Sequence, residues 1–312
     1  MSTIERVAKL LAPIERANAK STETSDLDVS ERPPSETIER TGLQERGEFA
    51  ARLEIKDLAV ESRGPERSLK PTSKTTHRIE VDRDRLRRQS MITPEGQRTP
   101  NAESFRRVKR QILTNVAKAK SRGPSNLVMV TSSVPGEGKT FCAINLAISI
   151  ALEMNRTVLL VDADVAKPSI PNALGMKADR GLLDALLDRE IDLAELLWST
   201  DIGRLTLLPA GTAHQHATEL LASDAMRSLL TEMAERYGDR IIIFDSPPLL
   251  AASEAAVLAS QMAQIVMVVE AGKTSEATLT AALGRVDRSN ITGLLLNKSE
   301  GPKLGEFYGE YG

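Results

Sequence analysis

Residues Ser132–Thr140 read SSVPGEGKT, directly after the apolar run Leu127–Thr131 and directly before a segment that begins with Phe141, Ala143 and Ile144. A glycine-rich turn that leaves a buried strand and opens a helix is a strong constraint, because strand and helix must then pack as adjacent layers. Gly136 and Gly138 let the backbone turn sharply, so that several N–H groups converge at the positive end of a helix dipole. That arrangement binds phosphate. Lys139 would neutralise β/γ-phosphates and Thr140 would ligate Mg²⁺, so ATP with Mg²⁺ is the expected ligand. The expected contacts are Ser133, Pro135, Gly136, Glu137, Gly138, Lys139, Thr140 and Phe141. Ser133 stands where the usual pattern has glycine.

The chain around this loop alternates short β-rich runs with helical stretches. The runs are Leu127–Thr131, Thr157–Val161, Leu205–Leu208, Arg240–Phe244, Ile265–Val269 and Ile291–Leu296. Such alternation predicts an α/β fold, a mostly parallel, doubly wound sheet flanked by helices, with ligands at the carboxyl ends of the strands. Aromatic residues make up only 3% of the chain, so the core must be built mainly from aliphatic side chains, as helices packed on a parallel sheet often are.

Two further runs end in carboxylates. TVLLVDADVAKP, residues 157–168, places Asp162 and Asp164 two residues apart, on one face if the backbone stays extended. One could hold Mg²⁺, directly or through water, while the other accepts a proton from an incoming hydroxyl; capping a turn is the plainer alternative. RIIIFDSPP, residues 240–248, ends a third buried strand in Asp245, placed to orient a Mg²⁺ shell from the far side. ITGLLLNK, residues 291–298, ends in Asn297, whose amide could read an adenine edge or simply terminate the strand.

Organisation outside this region differs. Ile4, Val7, Leu11 and Ile14 share a helical face, which predicts a short amphipathic helix over residues 1–17. Residues 18–76 are too polar to offset the entropy of ordering and read as a disordered linker. A domain with a basic lead-in segment and a helix is expected over residues 77–302, the helix marked by Phe105, Val108, Ile112, Leu113 and Val116. A flexible tail is expected over residues 303–312.

From Arg78 to Arg122 there are 13 Lys/Arg against five Asp/Glu, suited to a membrane surface, an acidic partner or nucleic acid, or forming a solvated helix face. The net charge of −2 argues against a whole-protein grip on nucleic acid, so no nucleic-acid partner is expected. The single Cys142 excludes an internal disulfide. With no signal-like or transmembrane-length apolar run, a cytoplasmic protein without a span of its own is expected.

SSVPGEGKT, VLLVDADVAKP and IIIFDSPP, in this order, resemble the motifs of bacterial tyrosine kinases, a deviant-Walker branch of the P-loop ATPases. The resemblance covers roughly residues 79–312 and looks closest to the exosortase-associated tyrosine autokinases of exopolysaccharide loci. Val134 argues against the related partition ATPases, which carry a signature Lys in the loop. The resemblance implies a catalytic role for Asp162 together with Lys139 and Asp164. It also implies Mg²⁺ ligation by Thr140, Asp164 and Asp245, and phosphate contact by Lys139. Ala166 departs from the family's usual Arg.

The same resemblance implies that clustered tyrosines in the tail accept the phosphate in a neighbouring subunit's active site. Here the acceptors would be Tyr308 and Tyr311, two of the three tyrosines in the chain. It further implies ring assembly through a helix bearing Glu-x-x-Arg-x-x-Arg, matched by Glu103, Arg106 and Lys109 with Lys in the last place. Activation would come from a separate membrane-bound chain-length regulator, recruiting the chain to the inner face of the membrane. The rival readings are a non-kinase ATPase switch that controls partner or membrane assembly, and a scaffold that binds ATP with little turnover.

Overall fold

The computed structural model describes residues 77–95, 99–118, 125–153 and 155–299. The amphipathic helix and linker expected over residues 1–76, and the tail with Tyr308 and Tyr311, lie outside the described residues.

Among the described residues eight strands form one sheet: β1 (His77–Ile79), β2 (Leu127–Ser132), β3 (Thr157–Asp162), β4 (Trp198–Thr200), β5 (Leu205–Leu208), β6 (Arg240–Asp245), β7 (Gln264–Glu270) and β8 (Ile291–Asn297). Their spatial order is β1-β4-β5-β3-β6-β2-β7-β8. Every neighbouring pair is parallel except β4 with β5, so the sheet is mostly parallel as expected. The six runs read from sequence all form strands. The two that escaped notice, β1 and β4, are only 3 residues long and polar. His77 stacks on Trp198 at 4.4 Å between ring centroids, so a ring contact adds to the pairing of these short strands.

The central strands are buried on both faces because helices cover both, and that is why they read as unbroken apolar runs. Alternate residues still diverge, as a pleat requires. Met129, Leu159, Val161 and Phe244 join one core. Val128, Val130, Leu160 and Ile243 join the other. The helix following the phosphate-loop sequence, Lys139–Ala151, belongs to this second core, and every residue from Cys142 to Ala151 is buried. It lies between the sheet and the helix Pro100–Lys118, with Phe105 and Phe141 in contact across the gap at 6.3 Å.

Two buried amides fasten the segment ahead of the loop to this layer. Asn145, fully buried, accepts from the Ile92 N–H at 2.7 Å and donates to the Phe141 carbonyl at 2.8 Å. Gln264 donates to the carbonyls of Ile112 and Ser125 and accepts from Asn115 and Thr292, tying helix, loop and two strands at one point. Asn145→Leu would keep approximate volume but leave the Ile92 N–H without a partner. The expected loss is about 1–3 kcal/mol, measured by chemical denaturation.

Candidate functional site

The sheet order sets the site. β2 lies between β6 and β7, and β3 lies next to β6, so three motif-bearing strands end side by side at the sheet's centre. Asp162 and Asp245 are direct cross-strand partners at the ends of β3 and β6. The loop that follows β2 projects over the same edge, where doubly wound sheets bind ligands.

Gly136 and Gly138 have φ of +94° and +95°, left-handed positions at which a side chain is strained. Ser133 is not among the residues with positive φ, which explains why the loop tolerates a non-glycine at the start of its pattern. At Gly138 a Cβ would come within 2.1 Å of the Asn297 amide nitrogen, whereas at Gly136 it would meet nothing within 4 Å.

The loop is braced from behind. Asn297 Nδ2 donates to the Glu137 carbonyl at 2.8 Å, and Lys298 Nζ donates to the Gly136 carbonyl at 2.7 Å. Glu137 is buried, and its carboxylate accepts from the Val134 N–H at 2.8 Å and from the Thr274 hydroxyl. The Gly136 and Glu137 carbonyls and the one loop carboxylate are thereby engaged by protein.

In front of the loop the charges interlock. Lys139 Nζ lies 2.7 Å from Asp164 Oδ2 and 3.3 Å from Asp245 Oδ1. Thr140 Oγ1 donates to Asp245 Oδ2 at 2.6 Å, and the Ser169 hydroxyl donates to Thr140 Oγ1 at 3.2 Å. Asp162 Oδ2 accepts from the N–H groups of Ser169 and Ile170, both at 3.0 Å. Its other oxygen is buried without a partner.

Burial and the neighbouring Asp245 push Asp162 up to about 7. Burial pushes Asp245 up to about 6, against the pull of Lys139 and the Thr140 hydrogen bond. Burial works against the Lys139 ammonium, but the attraction of Asp245 and Asp164 outweighs it and holds Lys139 above its ordinary value. The arrangement is a cation placed among three carboxylates at the mouth of a loop of backbone donors. Hydroxyl and carboxylate oxygens of this kind suit a hard divalent cation. Among the described residues no three acidic, His or Cys side chains converge to hold a metal alone. Phosphate and water oxygens would have to complete a Mg²⁺ shell, as is usual for that ion.

The structure thus brings together Gly136, Gly138, Lys139, Thr140, Asp162, Asp164 and Asp245 from separate stretches of sequence. Ser133 is buried beneath the loop, and Pro135 is exposed on its outer side. The Phe141 ring turns into the core, leaving only its backbone near the loop. Asn297 lies on the loop, where one of its amide protons is engaged by Glu137; reading a base would fall to the remaining N–H or to Oδ1. Glu103 pairs with Arg106 at 2.6 Å on the exposed surface. Lys109 instead reaches Glu153 at 2.5 Å and the Ser149 carbonyl, so it is fastened within its own chain.

Sequence reasoning missed Thr274, Ser169 and Lys298. Thr274 and Ser169 lie in loops after strands, with no motif to mark them. Lys298 follows the strand end Ile291–Asn297, and its left-handed φ of 55° accompanies its reach to the Gly136 carbonyl.

The sequence matches the family described as AAA domain over residues 126–290. Tyrosine-protein kinase YwqD of Bacillus subtilis (strain 168) is 32% identical over 214 residues, covering 68% of this chain and 86% of that protein. Succinoglycan biosynthesis transport protein ExoP of Rhizobium meliloti (strain 1021) is 32% identical over 232 residues, covering 71% of this chain but only 28% of that protein. Among solved structures, the VpsO kinase domain is similar with a TM-score of 0.53 and 30% identity, covering 62% of this chain and 96% of that one.

Two outcomes follow from the geometry. Gly138→Ala meets both left-handed strain and the Asn297 amide, whereas Gly136→Ala meets strain alone. Gly138→Ala should therefore weaken binding of a fluorescent ATP analogue by at least about tenfold more than Gly136→Ala does. The second concerns pH. Asp162 and Asp245 hold protons in the folded state above the ordinary value of 3.8, so stability they contribute is lost as pH rises from there through about 6 to about 7. Asp162→Asn removes one such group. In nucleotide-free protein with EDTA, its Tm relative to the parent should be higher at pH 8 than at pH 5.

Proposed function

This chain belongs to the bacterial tyrosine-kinase family of P-loop ATPases, and we propose that it phosphorylates Tyr308 and Tyr311 of another copy of itself, using Mg-ATP. The observation that carries this reading is the meeting of Lys139, Thr140, Asp164 and Asp245 at the loop, beside a buried Asp162 with one unpartnered oxygen.

Each residue has a role that its surroundings support. The loop N–H groups and Lys139 hold the β- and γ-phosphates, and the brace behind the loop keeps its donors pointing forward. Thr140, Asp164 and Asp245 would hold Mg²⁺, which when bound supplies charge neutralisation for the phosphates. The tyrosine oxygen attacks the γ-phosphorus, the bond to the β–γ bridging oxygen breaks, and ADP leaves. The phenolic proton passes to Asp162 Oδ1. A carboxylate poised at about 7 is a competent base near neutral pH, which a fully solvated one is not.

ExoP is named a succinoglycan biosynthesis transport protein, and this supports placing the present chain in the control of exopolysaccharide production. The kinship with exosortase-associated autokinases is part of the same reading, as is a homo-oligomeric ring. Among the described residues no helix is long and apolar enough to cross a membrane. Recruitment by a separate membrane-bound chain-length regulator is part of the same proposal. Phosphate on the tail adds about −1.5 to −2 charge per tyrosine at pH 7, which would loosen a ring by repulsion.

The test is to incubate the purified chain with Mg-ATP, with and without the membrane partner, and to map phosphotyrosine by mass spectrometry. Phosphate is expected on Tyr308 or Tyr311, absent in Lys139→Met, and reduced about 10²-fold or more in Asp162→Asn. A Lys139→Met chain should still be labelled when mixed with active chain lacking both tyrosines. ATP turnover with unmodified tyrosines would overturn the kinase reading in favour of an ATPase switch.

A further inference from the structure

The rim around Asp162 carries charge that the phosphate chemistry leaves unused. The last pairing of β3 with β5 joins Val161 with Leu208, so Pro209 comes level with Asp162 one strand away. Two segments are stapled together there. The Leu182 N–H donates to the Pro209 carbonyl at 2.8 Å, and the Leu183 N–H donates to the Ala210 carbonyl at 2.9 Å. Asp184 accepts from the N–H groups of Gly181 at 2.7 Å and Thr212 at 3.1 Å. Gly181 passes so close that a Cβ on it would lie 2.0 Å from the Pro209 oxygen. The backbone of Arg180 is thereby held at the rim, on the β5 side of Asp162.

Lys167 comes from the other direction. It closes a turn after β3, its N–H donating to the Asp164 carbonyl at 3.0 Å, and it stands two residues before Ser169, whose N–H holds Asp162. Over residues 165–181 the charged side chains are Lys167, Lys177 and Arg180 against Asp179, all exposed. The three cations carry no ion pair among the described residues. On the same bank Asp184 is engaged by the N–H groups of the staple, and Glu219 lies 3.8 Å from His216. On the opposite bank Lys273 and Lys298 both pair with Glu270. Unpaired positive charge therefore gathers beside Asp162.

ATP phosphates have Lys139 and the loop N–H groups, so these outer cations suit a different visitor. What must approach Asp162 from solvent is the hydroxyl that gives up its proton. In an extended peptide, side chains two residues apart share a face. A tyrosine reaching inward thus carries its second neighbours on each side toward the rim, about 13 Å apart. Carboxylates at those places would be repelled by the bound nucleotide unless cations receive them. In sequence, Glu306 and Glu310 stand at these two positions about Tyr308, whereas Tyr311 has Gly309 two residues before it and only Gly312 after it.

We propose that the site selects tyrosines flanked by carboxylates at the second residue on each side, with Lys167 and Arg180 receiving them, so that Tyr308 is phosphorylated ahead of Tyr311. This selectivity rests on the kinase reading above and adds to it the acceptor class and the residues that choose it.

The test uses full-length chains. Active chain carrying Tyr308→Phe and Tyr311→Phe is given Lys139→Met chain as acceptor, and label is followed at each tyrosine by mass spectrometry. Label is expected on Tyr308 first. Glu306→Gln with Glu310→Gln in the acceptor should lower kcat/KM about fivefold. Lys167→Ala with Arg180→Ala in the active chain should do the same, and combining both pairs of changes should lower it little further. The difference should shrink at high salt, while affinity for a fluorescent ATP analogue stays unchanged. Equal rates for the Glu and Gln acceptors, with tyrosine still labelled, would overturn the selectivity and leave the kinase reading standing. Weakened binding of the ATP analogue by Lys167→Ala, with acceptor preference intact, would overturn it in favour of a phosphate contact by Lys167. ATP turnover with no phosphotyrosine in any pairing would remove the kinase reading and the selectivity with it.

Discussion

Everything at the centre of this molecule depends on keeping Asp162 and Asp245 side by side in a dry place. Parallel pairing of β3 with β6 forces them together, and the covering layers remove the water that would otherwise screen them. Two such carboxylates repel, so the arrangement needs a cation within reach. Lys139 provides it, held by Asp245 and Asp164. The fold therefore supplies a site whose electrostatics are balanced only while loop and strands stay in register.

The brace behind the loop is the complementary requirement. Backbone N–H groups can face an anion only if the corresponding carbonyls are satisfied elsewhere. Asn297 and Lys298 take two of those carbonyls, and Glu137 folds back onto Val134 and Thr274. A buried carboxylate in a phosphate-binding loop is otherwise hard to understand, since its charge would oppose the ligand. Here it points away and serves the loop's shape.

Much of this was legible in the sequence because the controlling features are local. Strand, glycine turn and helix follow one another without interruption, and an acid at the end of an apolar run is visible wherever it occurs. What escaped was non-local. β1 and β4 are too short and polar to show a period, and they exist because a hairpin return and a ring stack create them. Thr274 and Lys298 acquire their roles only when the ends of β7 and β8 arrive beside the loop, which no spacing records. Asn297 shows the limit from the other side: its location at the site was readable, but its contact with the Glu137 carbonyl depended on three-dimensional neighbours.

The placement of β2 between β6 and β7 has one more consequence. The carboxylates come from the β3–β6 side of the loop, and the brace comes from the β7–β8 side. The phosphate loop thus straddles a seam, with its charge partners on one bank and its mechanical support on the other. A small shear of the sheet along β2 would change the reach from Lys139 to Asp164 and Asp245 without breaking a strand pair elsewhere. The site is in this sense a gauge of the sheet's own alignment.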